Sequence, residues 1–189
     1  MGFDSRFRHR DLDARHLGAV GTRRGRVGRL DDLPETYPRP EDDRHLDRFR
    51  EWAKAGRSRG AQMWMQINHP GRQMPAALGQ QTLAPSAIAL DLGAQSKLFA
   101  TPREMTAADI ADVERRFVTT ATLAERAGFT GVEIHAAHGY LLSQFLSPLT
   151  NRRRDDWGGS LENRARLLVD IVRGVRKSKR VFTTRCDKA

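Results

Sequence analysis

The spacing of apolar residues predicts alternating helices and strands over most of the chain. Two short apolar runs, residues 61–67 and 131–136, predict strands, and the first has the composition of a strand buried on both faces of a parallel sheet. Apolar residues at helical spacing predict three helices around these strands, over residues 42–58, 106–127 and 160–176. The order helix–strand–helix–strand–helix is that of parallel α/β folds, so we expect this fold class.

The same periodicity predicts which face of each helix is buried. The predicted stripes are Leu46, Phe49, Trp52 and Ala53; then Ile110, Val113, Phe117, Ala121 and Ala124; and finally Leu161, Ala165, Leu168, Val172 and Val175. Thr106 and Asp109 have the spacing of a capping box, and Gly128 suits the position after a helix end. Ser160 is the predicted cap of the third helix.

Glycine, proline and charge mark the irregular parts of the chain. Residues 1–40 lack apolar periodicity, and residues 21–30 within them alternate glycine with arginine, which predicts an irregular or divergent N-terminal segment. Residues 68–105 form a long connection of the kind that is often functional. Residues 177–189 predict a divergent basic tail, which leaves 41–176 as the α/β unit.

Composition excludes several classes of protein. The 189 residues contain no apolar run of about 18 that could span a membrane. A single cysteine excludes an internal disulfide, and the first residues lack the apolar core of a signal peptide, so we expect a cytoplasmic location. The net charge is +10, and residues 173–180 form a basic run. Such a run is typical of a solvated chain end; the alternative is binding to nucleic acid.

The residues that indicate chemistry follow the second predicted strand. His135 and His138 lie at its carboxyl end, and Tyr140 is two residues further on. Polar residues at the ends of barrel strands are typical of catalytic sites. Two imidazoles could stabilise a carbonyl oxygen as it becomes an enolate, and a phenol could deliver a proton. The alternatives are a zinc pair, which would need a third ligand, and ordinary loop histidines.

The segment from 131 to 163, GVEIHAAHGYLLSQFLSPLTNRRRDDWGGSLEN, resembles the Old Yellow Enzyme family of FMN-dependent NADH:flavin oxidoreductases. A second block, MWMQINHPGRQ from Met63, resembles the third strand of that family's barrel and the turn after it. The resemblance covers roughly residues 41–176. It implies a partial TIM (β/α)8 barrel that includes about strands 3 and 4 with their helices.

The resemblance also implies a role for each candidate residue. Gln66 matches the glutamine that binds the pyrimidine edge of FMN, where an amide can donate and accept at once. His135 and His138 match the pair that binds the substrate oxygen, and Tyr140 matches the proton donor. The implied reaction is ene reduction: NADH or NADPH reduces FMN, hydride passes from FMN to an activated alkene, and Tyr140 supplies the proton.

The implied partner is therefore a small enone-like molecule, and a homo-oligomer is compatible with the family. No membrane partner is expected. The family's fifth strand, which carries a basic flavin contact, is not recognisable after Arg176, so we expect a fragment of the barrel whose activity depends on the missing strands. The alternative functions are a non-catalytic remnant and a basic nucleic-acid-binding fragment.

Other prominent residues have structural interpretations. Arg152, Arg153 and Arg154 could form a phosphate clamp but are better explained as loop residues. His69 is expected to shape its turn, and Trp64 and Trp157 are expected to serve packing.

Overall fold

The computed structural model describes residues 46–178 and the backbone of residues 182–186. The expectations for residues 1–40, for a helix start at residues 42–45 and for 187–189 lie outside the described residues. The helices are α1 (Leu46–Arg57), α2 (Ala107–Arg126), α3 (Leu141–Leu146) and α4 (Leu161–Ser178). The strands are β1 (Trp64–Ile67), β2 (Leu83–Ala84), β3 (Arg103–Glu104), β4 (Gly131–Ala136) and β5 (Phe182–Cys186).

Three parallel strands form the main sheet, in the order β1-β4-β5. The register places Gln66 opposite Glu133 and His135 opposite Arg185. Two of these strands, β1 and β4, lie in the apolar runs that predicted strands, and the polar segment Phe182–Cys186, which pairs with β4 along its whole length, was not predicted. Both edges of β4 are therefore paired.

Helix α2 begins at the predicted capping box and ends before the predicted glycine. The Thr106 side chain accepts a bond from the backbone of Asp109, and the Asp109 carboxylate accepts one from the backbone of Thr106. Arg103 also donates to Asp109, and this bond, followed by those from Thr106, holds the pKa of the carboxyl well below its usual range. Gly128 adopts φ 91°, the left-handed conformation that ends a helix.

The buried faces of two helices differ in part from the prediction. Trp52 of α1 is 38% exposed and lies edge-on to Phe129, with ring centroids 5.4 Å apart. The fully buried residues of α4 are Leu167, Ile171 and Val175, whereas Leu161 is 58% exposed in the first turn. Val175 is thus buried as predicted, whereas Ala165, Leu168 and Val172 are half-buried and lie at the edge of the buried face.

The connection from 68 to 105 is ordered. It contains 3-10 helices at Gly71–Gln73, Ala76–Leu78 and Gly93–Leu98, and the short parallel ladder of β2 and β3 joins its middle to its C-terminal end. Helix α3 lies between the second predicted strand and the third predicted helix, where no helix was predicted. These elements fold the two motif-bearing segments together at the carboxyl ends of β1 and β4.

The two faces of the sheet differ in chemistry. Met65, Ile67, Val132 and Ile134 belong to the same apolar cluster as the buried residues of α1, α2 and α4. Because side chains alternate along a strand, Gln66, Glu133 and His135 point to the opposite face. Trp64 at the start of β1 is 41% exposed, so the expectation that this strand is buried on both faces was wrong at its first residue. The helices cover one face, and the other carries polar groups.

Candidate active site

Strand β4 and the turn after it bring the two histidines and the tyrosine together. The Nε2 atom of His135 lies 3.2 Å from Nδ1 of His138. The rings of His135 and Tyr140 have centroids 5.4 Å apart. His135 is almost completely buried, Tyr140 is half-buried and His138 is exposed. The three side chains therefore form one cluster that opens to solvent at His138.

The backbone conformation of the turn after β4 determines where these side chains lie. His138 and Gly139 both have positive φ, at 57° and 69°. Tyr140 is the residue that precedes helix α3, and its side chain makes no capping bond to that helix. A tight reversal thus returns Tyr140 to His135.

Gln66 lies on the same face of the sheet as His135 and is held by Glu133. Its Nε2 donates to Oε1 of Glu133 at 2.9 Å. Because the NH2 group of Gln66 faces Glu133, the carbonyl oxygen of its amide is left for a ligand. Glu133 also lies 4.0 Å from Nδ1 of His135. This carboxylate therefore connects the predicted cofactor-binding and substrate-binding residues.

Sequence reasoning did not single out Glu133. Its position two residues before His135 on a strand was a signal that both side chains share a face. The pairing with Gln66 could not be found without the register of β1 against β4.

A buried glutamine joins the turn after β1 to the turn after β4. Nε2 of Gln144 donates to the carbonyls of Gly139 and Pro70, at 2.6 and 3.2 Å, and its Oε1 accepts from the backbone of Arg72. Gly71 adopts φ 58°, and a Cβ there would collide with Oε1 of Gln144. Only glycine can adopt this φ without strain and also leave room for the side chain of Gln144.

His69 and Arg72 belong to the same turn. His69 is buried and its Nδ1 accepts from the backbone of Gly71 at 3.0 Å, as expected for a residue that shapes the turn. Burial lowers the pKa of the Arg72 guanidinium, which donates to the carbonyl of Ala89.

Arg153, the middle one of three consecutive arginines, has a structural role. The guanidinium of Arg153 is buried and donates to the carbonyls of Pro85 and Met105, at 3.0 and 2.7 Å. It also donates to the carboxylate of Asp155, and this bond is the main reason that the pKa of Asp155 lies below its usual value. Arg152 and Arg154 are exposed. Arg153 thus fastens the loop after α3 to the connection between β1 and α2.

The backbone of strand β5 runs beside β4 at the level of the candidate site. Arg185 is the register partner of His135 on β5. A strand that was not recognised in the sequence after Arg176 is therefore paired with β4 in the sheet.

The described part of the chain has few features that are typical of binding to a metal ion, a membrane or nucleic acid. Within residues 46–178 and 182–186, no group of three or more histidine, cysteine, aspartate or glutamate residues is arranged to hold a metal ion. None of the helices described there combines the length and apolar character needed to cross a bilayer. Arg173 and Arg176, in the basic run, are exposed on the last turns of α4, where positive charge favours a helix end.

Comparison with known proteins gives a consistent result. Residues 28–185 match the NADH:flavin oxidoreductase / NADH oxidase family. The NADH-dependent flavin oxidoreductase iccE of Talaromyces variabilis is 46% identical over 147 residues, which are 71% of this chain and 36% of that protein. The NADPH dehydrogenase of a Geobacillus strain is 44% identical over 135 residues, which are 71% of this chain and 38% of that protein.

A solved structure agrees with these relatives. The Old Yellow Enzyme homologue from Zymomonas mobilis matches with a TM-score of 0.71 and 33% identity, over 77% of this chain and 43% of that chain. The chain therefore spans less than half the length of each of these three proteins. The family match is longer at both ends than the expected 41–176.

The fold is thus part of the TIM barrel of Old Yellow Enzyme-type flavin oxidoreductases. The chain belongs to the NADH:flavin oxidoreductase / NADH oxidase family. Membership implies FMN as cofactor and NADH or NADPH as reductant. The residues present fit the ring of such a cofactor, because the carbonyl of Gln66 and the imidazole of His135 share one face of the sheet.

Proposed function

We propose that this chain provides the substrate-binding and proton-donating part of an ene reductase active site. The observation that carries the proposal is the 3.2 Å separation of His135 Nε2 and His138 Nδ1 beside the ring of Tyr140. FMN, when bound, supplies the hydride for an activated alkene. Gln66 would hold the edge of the flavin ring through its free carbonyl.

The histidine pair would bind the carbonyl oxygen of the substrate. Two nitrogens this close share one hydrogen bond when no ligand is present, and which nitrogen carries the proton depends on the tautomers. Each imidazole can be neutral and still donate, from Nε2 of His135 and from Nδ1 of His138. A substrate oxygen that approaches both nitrogens from the side would replace the bond they share and accept one bond from each, and these bonds strengthen as negative charge develops on it.

Tyr140 would deliver the proton. Its ring lies beside His135 and its phenol is half-buried, so a substrate held by the pair brings its α-carbon towards this group. A positioned acid of this kind contributes about 10²–10⁴-fold to the rate. The proposed substrate class is therefore a small enone-like molecule with an oxygen that the histidines can bind.

The test is a chimaeric barrel in which residues 46–186 replace the homologous segment of the Geobacillus NADPH dehydrogenase, which is 44% identical. In this chimaera, His135→Ala with His138→Ala should weaken the binding of 4-hydroxybenzaldehyde at least about tenfold, because each lost hydrogen bond removes about 1 kcal/mol. Flavin content should not change. Exposed Arg154→Ala is the control. Loss of flavin with unchanged affinity for the phenol would contradict the proposal.

A further inference from the structure

The backbone of His138 is in a conformation that its side chain disfavours. Among the described residues it is the only non-glycine residue with positive φ, at 57°. A Cβ atom in the left-handed region crowds the following carbonyl, so an unsupported histidine would relax out of this conformation. Such relaxation would move Nδ1 of His138 away from Nε2 of His135. Something must hold the turn.

The side chain of Gln73 provides that support. Gln73 ends the 3-10 helix Gly71–Gln73 after β1, and its Nε2 donates to the carbonyl of His138 at 2.8 Å. The approach is close: a Cβ at Gly139 would lie 3.0 Å from the same Nε2. Glycine at 139 therefore leaves room for the amide as well as permitting the turn.

We propose that Gln73 is a positioning residue for the substrate-binding pair. By donating to the His138 carbonyl, it keeps the peptide after His138 oriented and thereby holds the imidazole beside His135. The inference rests on the proposed function for its catalytic meaning, because the pair matters only if it binds the substrate oxygen. The positional claim concerns the conformation of His138 and can be measured by itself.

Gln73 is a better residue than Gln144 for testing the position of His138. Gln144 holds the next carbonyl, that of Gly139, but it is buried and also bonds Pro70 and Arg72. Replacing it would disturb the whole turn. Gln73 is half-buried and its amide reaches across to His138, so its removal tests the position of that histidine with little effect on the core.

The chemistry of the bond predicts which substitutions fail. A carbonyl needs a donor, and a glutamate carboxylate at neutral pH offers none. Methionine preserves the length of the side chain and also lacks the donor. If Gln73 served only to fill space, Gln73→Met would be neutral; if it acts by donation, both Gln73→Met and Gln73→Glu should release the turn.

The experiment compares these two variants with the parent in the full chain, by NMR. The readouts are the φ angle of His138 from cross-correlated relaxation and the ring nitrogen shifts of His135 and His138. We expect both variants to lose the positive φ and the mutual dependence of the ring shifts, while circular dichroism stays unchanged. The control is Gln95→Glu, an exposed glutamine on the 3-10 helix Gly93–Leu98. Unchanged φ and ring shifts in both variants would overturn the positional claim.

Titration of the chimaeric barrel with 4-nitrophenol, with Gln73 intact and with each of the two substitutions, separates this inference from the proposed function. We expect the two variants to bind the phenol about tenfold more weakly than the parent, the loss that corresponds to about one hydrogen bond. If φ changes as expected but the parent does not bind the phenol through the histidines, the proposed function fails and the positional role stands. If the parent binds and the variants bind equally well, Gln73 is not a positioning residue.

Discussion

Replacing Gly71 by alanine should destabilise the protein far more than the same change at another left-handed glycine. Gly71 has φ 58°, and its missing Cβ leaves the space in which Oε1 of Gln144 lies, so that an added methyl group would overlap this oxygen. Gly79 has a similar φ of 62°, but a Cβ there would meet nothing within 4 Å. The two substitutions therefore share the backbone strain and differ in the side-chain collision.

The expected costs follow from these two contributions. Left-handed backbone costs an alanine about 1–2 kcal/mol, so Gly79→Ala should lose about this much. At Gly71 the methyl group must also displace Gln144, whose three hydrogen bonds are each worth about 0.5–1.5 kcal/mol. The total for Gly71→Ala is about 2.5–6.5 kcal/mol, which is large against a typical stability of about 5–15 kcal/mol.

Urea unfolding of the parent and the two variants, followed by circular dichroism, measures both costs. The difference between the two losses in unfolding free energy measures the contribution of the Gln144 hydrogen bonds, because the backbone strain is the same in both variants. Equal losses of stability at Gly71 and Gly79 would refute the reasoning, since they would show that Gln144 does not hold the turn.

Two further predictions concern the frame around the site. Arg153→Ala leaves two buried carbonyls without their donor and should cost about 2–5 kcal/mol in urea unfolding, whereas exposed Arg154→Ala should stay within about 0.5 kcal/mol; similar losses would contradict the structural role. The pKa of Asp109 is lowered in the folded state, so its contribution to stability is present above about pH 4 and is lost as the pH falls towards the folded pKa. Asp109→Asn should therefore unfold with a weaker dependence on pH below about 4 than the parent, and identical profiles would count against this coupling.

Elements with strong local signals could be predicted from the sequence. Helix α2 has a long apolar stripe and a capping box, and both appear in the structure. Strand β4 has the predicted bounds of 131–136. The proximity of His135, His138 and Tyr140 follows from their place at the end of that strand, because so short a turn cannot separate them far.

Elements that depend on distant contacts could not be predicted. Helix α3 has six residues and no side-chain cap, and it is held by the buried Gln144, which bonds Pro70 far away in the chain. Strand β5 has a polar sequence, and its pairing with β4 is a tertiary contact. The bond between Gln66 and Glu133 depends on register, and a shift of one residue would have placed these side chains on opposite faces.

The most direct test of the proposed role of this segment is the rate of alkene reduction by the chimaeric barrel with Tyr140→Phe. The two half-reactions are followed separately and anaerobically, with NADPH for flavin reduction and 2-cyclohexenone for flavin reoxidation. Tyr140 lies beside the ring of His135 and has no proposed part in flavin reduction, so that step should be nearly unchanged. The step with the alkene should slow by about 10²-fold or more, the contribution of a positioned acid. Equal rates with the alkene in parent and variant would contradict the assignment of Tyr140 as the proton donor.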